Sequence, residues 1–580
     1  MSMLAKLNKI TSWQAAFIIA ILGFAVFFTG LHNPFMGDDS IQIVNNVPVH
    51  SITNIRLFFE GGTFYNGHGL APLGGVYYRP LMTTVFSLLY TLFGAHPIAF
   101  HLFQLLLCIG SAIILYLFFR YSFKSALALL LSLVFLLHPI DSQVVFAIPQ
   151  MQDALFFFFG ILALWILLRF SSVKSLSLVA VCLLLSLFSK ETGILFVAMS
   201  LLYLFWWDRK RLYAFMGIIT LPVVLWLVLK INAVGLDAHS INAPIDSLSL
   251  TGRLLTAPSI MLFFIAKFLF PVKLASGYYW VHPTFTFRNF LLPLAIDLAV
   301  VALIVYLAFV IRKRAPRAQH FTFLFFATWS ALGLLAHLQI IPLDMTASET
   351  WFYFSMAGVL GMIGVAITTL GPSIRLNRRL VIALMMALIV LFGVRTAIRG
   401  TDWSSQYSLA KHDIAASRED YVAEKDIAIY YFDNGDFSQA KVHASRSVDI
   451  FPNAINYNTL GQSLAVLGDN SGAAKAFTAG MKYQDLIQLY ENMAALTAGY
   501  GNPSANKEFL LKAVNNFPRD ANIWLYLAVL DYRNNDIADA KTAISQAYVY
   551  GQSSNTILII YSRIMNNQPL NISFNPNPYD

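Results

Sequence analysis

Between Met1 and Arg399 the chain consists of apolar runs of 15 to 23 residues, each bounded by lysine, arginine, proline or aspartate. About 17 to 25 apolar residues are needed to cross a bilayer as a helix. Only 12% of the 580 residues are charged, whereas a soluble domain carries about 25%. The pattern excludes a single water-soluble globule and predicts an all-α, polytopic membrane protein.

The basic residues predict how these runs cross the membrane. Two shorter pieces, Leu81–Phe93 and Pro258–Val272, are expected to lie on the outer face, because every basic turn then falls on the cytoplasmic side. The assignment gives about eleven spans, near residues 13–31, 98–119, 124–140, 153–169, 175–189, 192–207, 212–230, 289–311, 320–341, 351–371 and 379–396. The N terminus is then cytoplasmic, and the chain after Arg399 lies outside.

Neither the cysteines nor the net charge indicates a further class of function. Cys108 and Cys182 both lie in apolar runs, so we expect neither a disulfide framework nor a thiolate metal site. The net charge of +9 is spread over short turns rather than collected on one face. We therefore expect no nucleic-acid partner.

The last third of the chain has an ordinary composition and an internal period. Gly435, Gly468, Gly501 and Asn535 are spaced 33, 33 and 34 residues apart, as expected for the turns of a helix-turn-helix repeat. Tyr457-x2-Leu-Gly followed by Ala473-x3-Phe, with a similar Trp524-x2-Leu-Ala, resembles the tetratricopeptide repeat. We predict an outer α-solenoid of about four repeats. Its concave surface is expected to bind protein or peptide, with a passive spacer or a homo-oligomer contact as the alternatives.

These patterns together predict the domain organisation. A transmembrane catalytic domain covers residues 1–400 and includes a large outer loop, 32–97, with an amphipathic helix at 81–93. A linker is expected at 401–420, the repeat domain at 421–570 and a short tail at 571–580.

The predicted outer loops contain the candidate chemistry. Asp38 and Asp39 directly follow the first span, and ionisable groups at a membrane boundary are often functional because their desolvation is costly. Arg79 and Lys190 lie on the same predicted face, where cations can bind the phosphate of a lipid. Snorkelling of these two cations at the interface is the structural alternative. Acidic side chains accompany them, at Glu191 and Glu349.

The ordered set of loop motifs resembles a known family. It is similar to the C-type (GT-C) glycosyltransferases that use a polyprenyl-phosphate sugar, and in particular to the O-mannosyltransferases that carry tetratricopeptide repeats and act on cadherins, together with their bacterial relatives. The resemblance covers nearly the whole chain. It rests on Asp38-Asp39, Tyr77-Tyr-Arg-Pro-Leu81, His101, His138-Pro-Ile-Asp-Ser-Gln143, Gln152-Asp-Ala-Leu155, Ser189-Lys-Glu-Thr192, Ala347-Ser-Glu-Thr-Trp-Phe-Tyr353 and Arg399-Gly-Thr-Asp-Trp403.

The resemblance implies an inverting transfer of a hexose-type sugar, such as mannose, to serine or threonine of a protein. Asp38 would accept the proton of the acceptor hydroxyl, and Asp39 would orient the acceptor or the sugar. Arg79 and Lys190 would stabilise the departing phosphate. No metal or other cofactor is expected. Supporting or substrate-binding roles are expected for Glu191, Glu349, Asp141, Gln143 and Tyr78.

The sequence departs from the family pattern at two positions. Gln143 stands where a glutamate is expected, and Thr350 stands where an arginine usually follows the glutamate. Both changes concern the donor sugar and its phosphate contacts rather than the acidic pair.

Several alternatives remain open at this stage. The acceptor could be a glycolipid or a polysaccharide, or the donor a diphosphate-linked oligosaccharide that requires a divalent metal. A membrane-anchored repeat scaffold and a lipid-linked sugar transporter are the non-enzymatic alternatives. Tyr278 to Trp280 are expected to anchor at the membrane interface, with sugar stacking as the alternative. A bacterial plasma membrane is the expected location, or the endoplasmic reticulum membrane in a eukaryote.

Overall fold

The computed structural model describes residues 9–64, 77–235, 243–371, 378–499, 501–552 and 554–570. The glycine-rich residues 65–76, Arg375 and the predicted tail 571–580 lie outside this part of the chain. The protein is all-α: within the described residues, β pairing is limited to an isolated bridge between Tyr278 and Ala347. It divides into two compact units, Met1–Arg418 and Glu419–Asp580.

The first unit is a bundle of apolar helices. Counting helices of ten or more residues, they are α1 Ser12–Phe27, α2 Pro80–Phe93, α3 Pro97–Phe119, α4 Ser125–Leu137, α5 Met151–Arg169, α6 Val173–Ser189, α7 Ile194–Trp207, α8 Arg209–Val234, α9 Leu250–Leu269, α10 Leu292–Arg314, α11 Arg317–Leu335, α12 Tyr353–Leu370, α13 Arg378–Asp402 and α14 Gln406–Ala416.

Nine helical segments of the described chain are long and apolar enough to cross a membrane. A tenth would be the bent pair Ser125–Leu137 and Pro139–Phe146, whose axes meet at 47°. Helices α6 and α7 are apolar but shorter. The protein is therefore a polytopic membrane protein. The predicted total of eleven is reached by counting the bent pair and these two shorter helices and by leaving out Leu250–Leu269, which is one of the nine.

Three helices define one end of the bundle. Phe135, near the end of α4, packs against Tyr353, which begins α12, with ring centroids 4.8 Å apart. Trp329, near the end of α11, donates from Nε1 to the carbonyl oxygen of Phe354 at 2.9 Å. The C-terminal ends of α4 and α11 therefore lie beside the N-terminal end of α12. We call this the site end.

Helix α9 corrects one sequence prediction. The apolar piece at Pro258–Val272 belongs to a helix that starts at Leu250 and is 20 residues long, so its predicted length is wrong. Arg253, near its start, donates from Nε to the carbonyl oxygen of Gln339, just past α11, at 3.0 Å. The carbonyl oxygen of Phe268, near its end, lies 3.0 Å from Nε2 of His138, just past α4. Both ends of α9 thus contact the site end, and the helix lies across it.

Residues 401–420, predicted to be a linker, contain the helix α14. It belongs to the first unit, because Asp413 is buried there and its carboxylate accepts a hydrogen bond from the backbone N–H of Ser276 at 3.0 Å. The linker prediction is wrong. The local composition is polar, which is typical of a linker, but the partners of Asp413 come from distant parts of the chain and hold this segment in the first unit.

The second unit consists of paired helices. They are α15 Tyr421–Asp433, α16 Phe437–Ile450, α17 Ala454–Val466, α18 Asn470–Gly480, α19 Ile487–Gly499, α20 Pro503–Asn516, α21 Ala521–Arg533, α22 Ile537–Tyr550 and α23 Asn555–Met565.

The periodic glycines have a backbone cause. Gly435, Gly468, Gly501 and Asn535 have φ values of 79°, 82°, 99° and 66°, in the left-handed region that glycine and asparagine adopt most easily. After each of the three glycines the next side chain caps the following helix: Asp469, for example, accepts from the backbone N–H of Gly472 at 2.9 Å. At each of these four residues the chain therefore reverses, and the second helix of a pair starts directly after it.

We predict that residues 421–570, expressed alone, form a soluble helical domain that melts cooperatively, because neighbouring repeats bury each other's apolar faces. Gly468→Ala should lower its free energy of unfolding by about 1 kcal/mol, since alanine is strained at this φ. Gly468→Asn is the matched control and should lower the free energy of unfolding by a smaller amount. Denaturant unfolding followed by circular dichroism measures both, and equal losses would contradict the conformational explanation.

Candidate active site

The predicted site residues come from separate segments that meet at the site end. Arg79 precedes α2, Lys190 follows α6, and Glu349 precedes α12. Asp153, in the first turn of α5, binds Lys190, and Phe157, one turn later, packs against Tyr353 with ring centroids 4.8 Å apart. The termini of α4, α5, α6 and α12 thus bring these side chains to one end of the bundle.

The two adjacent aspartates have different environments. Asp38 is exposed, whereas Asp39 is only 3% exposed. Asp39 accepts from the backbone N–H of Met36 through Oδ2 at 2.9 Å, and its Oδ1 is buried without a hydrogen-bond partner among the described residues. The loop itself is held by Asn33, whose Nδ2 donates to the carbonyl oxygen of Gly400 at 3.4 Å. Asp39 therefore stabilises the loop that presents Asp38.

Burial raises the pKa of Asp39 from 3.8 to about 8. Loss of solvation is the largest cause, and the nearby charge of Asp38 adds to it. The hydrogen bond from the Met36 N–H opposes the shift. Asp39 is therefore mainly protonated at neutral pH in the folded protein.

This shift predicts a pH-dependent stability. Between pH values of about 4 and 8 the folded state holds a proton on Asp39 that the unfolded state has lost, so stability falls as pH rises through this window. Asp39→Asn removes the titration. The melting temperature of the variant, minus that of the wild type, should therefore increase from pH 4 to pH 8 and be constant above it. A difference that does not vary with pH would contradict the assignment.

The first cationic cluster contains Arg79, Lys190 and Lys230. Nε of Arg79 lies 3.6 Å from Oε2 of Glu191, too far for a hydrogen bond, and Nε has no hydrogen-bond partner among the described residues. Glu191 is held in place because its Oε1 accepts from the backbone N–H of Tyr78 at 2.9 Å. Lys230 lies 3.8 Å from the same carboxylate. Arg79 is thus positioned with a buried donor still available.

Lys190 is neutralised by a residue not predicted to belong to the site. Its Nζ lies 2.7 Å from Oδ1 of Asp153, and both side chains are buried. The second oxygen of Asp153 has no hydrogen-bond partner among the described residues. The sequence does indicate Asp153 in one way. It stands at the start of an apolar run, where an unpaired carboxylate would be costly, so a cationic partner is expected.

Glu349 lies in a different group from Arg79 and Lys190. Its Oε1 accepts from the Tyr278 hydroxyl at 2.6 Å and from the backbone N–H of Ala275 at 2.8 Å. The expectation that Tyr278 anchors at the membrane interface is wrong, because the side chain is buried against Glu349. The charges of Lys267 and Arg399 also act on Glu349, and sequence reasoning assigned neither residue to the site.

Asp141 and Gln143 lie between the two groups. The charges of Glu349 and Asp153 act on Asp141, and neither carboxylate oxygen of Asp141 has a hydrogen-bond partner within the described chain. Nε2 of Gln143 donates to the carbonyl oxygen of Ser276 at 3.0 Å. An ionised glutamate at position 143 could not donate this bond, so the departure from the family pattern has a structural consequence here.

Carboxylates close enough to share a metal ion occur elsewhere. Within the described residues, potential ligand atoms lie within 4.8 Å of one another at Asp531, Asp536 and Asp539 of the second unit. Lys507 binds all three, with Nζ to oxygen distances of 2.9, 3.0 and 2.9 Å. The lysine ammonium thus already contacts all three carboxylates.

Comparisons with known proteins give a limited similarity. No family model matches the chain. Over 144 residues the chain is 31% identical to the Mus musculus "Protein O-mannosyl-transferase TMTC1", a match that covers 24% of this chain and 15% of the mouse protein. The crystal structure of the APC/C hetero-tetramer Cut9-Hcn1 aligns with 80% of this chain and 83% of that chain at 12% identity, with a TM-score of 0.27. That score is too low to indicate a common fold. Part of the chain is thus similar to a protein O-mannosyl-transferase.

Proposed function

We propose that the protein is an inverting glycosyltransferase of the GT-C type, which transfers a hexose-type sugar from a polyprenyl monophosphate to serine or threonine of a protein outside the cytoplasm. The observation that carries the proposal is that two cations beside acids lie at one end of an apolar helix bundle: Arg79 beside Glu191, and Lys190 beside Asp153. The proposal adds the exposed carboxylate of Asp38, from the loop that follows α1, to these groups. The partial similarity to a protein O-mannosyl-transferase supports the same reaction class.

The proposed reaction forms one bond and breaks one bond. The acceptor oxygen attacks the anomeric carbon, and the bond from that carbon to the phosphate oxygen breaks on the opposite face. Asp38 accepts the hydroxyl proton as the new bond forms. The phosphate gains negative charge as it leaves, and Arg79 can stabilise it through its buried Nε, which makes no hydrogen bond to the described part of the chain. Asp39 contributes indirectly, because it stabilises the loop that presents Asp38.

The remaining parts of the proposal concern topology and the acceptor. The basic residues that end α3, α5 and α10 lie at the opposite end of the bundle from the site, which supports a site facing away from the cytoplasm. The repeat domain would then select the protein acceptor on that side, in a bacterial plasma membrane or, in a eukaryote, the endoplasmic reticulum.

A direct assay tests the function. The purified full-length chain is incubated with a polyprenyl-phosphate mannose and a serine- and threonine-containing peptide, and the peptide is analysed by mass spectrometry. We expect a hexose adduct on a hydroxyl, with the same rate in EDTA. Transfer from a diphosphate-linked donor that EDTA abolishes would replace the proposal by an oligosaccharyltransferase. A glycolipid product with no modified peptide would identify a different acceptor class.

Arg79→Ala is expected to weaken both donor binding and catalysis. It removes a charge-assisted contact to the phosphate, worth about 1.5 to 3 kcal/mol, so kcat/KM should fall by roughly 10- to 100-fold with an increase in the donor KM. Lys230→Ala is the matched control, because Lys230 lies beside the same Glu191 carboxylate. An equal loss in both variants would indicate that Arg79 acts only by neutralising Glu191.

A further inference from the structure

Four cations outside the proposed catalytic groups converge at the site end. Nζ of Lys267, near the end of α9, donates to the carbonyl oxygen of Lys273. Arg395, on α13, donates from Nη2 to the carbonyl oxygen of Val272 at 2.8 Å. These carbonyl groups belong to consecutive residues, so the ammonium and the guanidinium lie close together. Arg399 lies one helical turn beyond Arg395 on the same face of α13.

Arg399 lies beside two carboxylates but has donors that no described acceptor fills. Nη1 of Arg399 lies 3.1 Å from Oδ2 of Asp402, and Nη2 lies 3.8 Å from Oδ1 of Asp413. The Arg399 side chain is fully buried, yet its Nε and Nη2 have no hydrogen-bond partner among the described residues. Buried guanidinium donors without acceptors are costly. An acceptor from beyond the described residues would satisfy these donors.

The other three cations form no ion pair with any described carboxylate. The charge of Glu349 acts on both Lys267 and Arg395, but its Oε1 is already occupied by Tyr278 and Ala275. The charge of Asp402 also acts on Arg395. The cations act on one another as well: Arg399 on Lys267 and Arg395, and Lys273 on Lys267. Like charges held together repel each other, and a bound anion would relieve the repulsion.

The surroundings of this cluster are apolar and exposed. Leu269, Phe270 and Val272 adjoin the cations in the chain and are 57%, 72% and 67% exposed. Helix α13 is apolar over a length sufficient to cross a membrane, and only 17% of it is buried within the protein. Cations beside exposed apolar side chains match an amphiphile that has an anionic headgroup.

We propose that Lys267, Lys273, Arg395 and Arg399 form a second cationic cluster that binds the phosphate-bearing headgroup of a membrane lipid. Arginine can offer two parallel donors to one phosphate, and lysine adds a point charge. The lipid chain would lie against Phe270 and the exposed face of α13. Its four cations are different from those of the first cationic cluster, and its occupation does not require that the protein transfers a sugar.

Ordinary snorkelling does not account for this arrangement. Snorkelling places a charged head in water or among headgroups while its stem covers apolar surface. Arg399 is instead fully buried, and Lys267 and Arg395 point to two adjacent carbonyl groups rather than away from each other.

Binding of farnesyl phosphate to the full-length chain tests the proposal. The protein is purified in a maltoside detergent, which contains no phosphate, and carries Arg79→Gln so that the first cationic cluster is weakened. Titration calorimetry then compares this protein with versions that also carry Arg395→Gln or Lys267→Gln. We expect each added change to weaken binding about tenfold or more. Arg312→Gln, in the last turn of α10, is the matched control and should leave the affinity unchanged.

Three results would overturn the proposal. Unchanged affinity in Arg395→Gln and Lys267→Gln would show that these cations do not bind the ligand. Equal binding of farnesol would show an apolar groove, and competition by inorganic phosphate at the same concentration would identify free phosphate as the ligand. If Arg395→Gln does not fold, Arg395→Lys replaces it in the test. The lysine variant keeps the charge and should retain most of the affinity. The assay measures binding and not turnover. The binding result would therefore stand even if the protein did not transfer a sugar.

Discussion

Asp38→Asn should lower the turnover number by about 10²- to 10⁴-fold, the contribution expected of a general base. Asparagine preserves the size of the side chain and most of its hydrogen bonds, but it cannot accept the proton of the acceptor hydroxyl. Donor binding should change little, because the proposal assigns the phosphate contacts to Arg79 and Lys190. Single-turnover transfer from a polyprenyl-phosphate mannose, together with a separate donor-binding titration, distinguishes these two effects.

Asp39→Asn is the matched control for this experiment. It changes the adjacent carboxyl group, which is buried and bound to the Met36 N–H, so its loss of turnover should be smaller. A larger loss in Asp39→Asn than in Asp38→Asn would exchange the two roles. If EDTA abolished transfer and a divalent metal restored it, both aspartates would be better explained as metal ligands than as a base and its support.

The helices were predictable from the sequence because membrane spans and repeats follow local rules. An apolar run of sufficient length must form a helix in a bilayer, since every backbone polar group needs a partner within the segment. The turns of the second unit were equally visible, because a left-handed residue such as Gly435 or Gly468 is needed at a fixed period. The extent of α9 was not predictable, since Thr251, Gly252, Arg253 and Thr256 interrupt the apolar pattern of its first turns and concealed its start.

The site was only partly predictable, for a physical reason. Loop charges such as Asp38 and Arg79 were identified because they stand at the ends of apolar runs. Their partners depend on tertiary contacts: Asp153 is 37 residues from Lys190, and Tyr278 is 71 residues from Glu349. Arg399 was noted as part of a motif, but its burial follows from the packing of α14, which the sequence suggested was a linker.

The buried pair formed by Lys190 and Asp153 allows a second test with a large expected effect. Removal of one partner leaves the other as an uncompensated buried charge, which typically costs about 3 to 5 kcal/mol. Lys190→Met and Asp153→Leu should each lower the stability of the protein by about this amount. The double variant places two apolar side chains in the same space and should regain most of the stability. Thermal unfolding in detergent measures all three.

Activity in the double variant then separates the two roles of Lys190. If Lys190 contributes a contact to the departing phosphate, the double variant should be stable but should transfer sugar at least tenfold more slowly than the wild type, because the stabilising cation is absent. If the lysine serves only to neutralise Asp153, stability and transfer should recover together. Recovery of both would remove Lys190 from the phosphate site and leave Arg79 as the principal cation there, while a stable, slow variant would keep both cations in the mechanism.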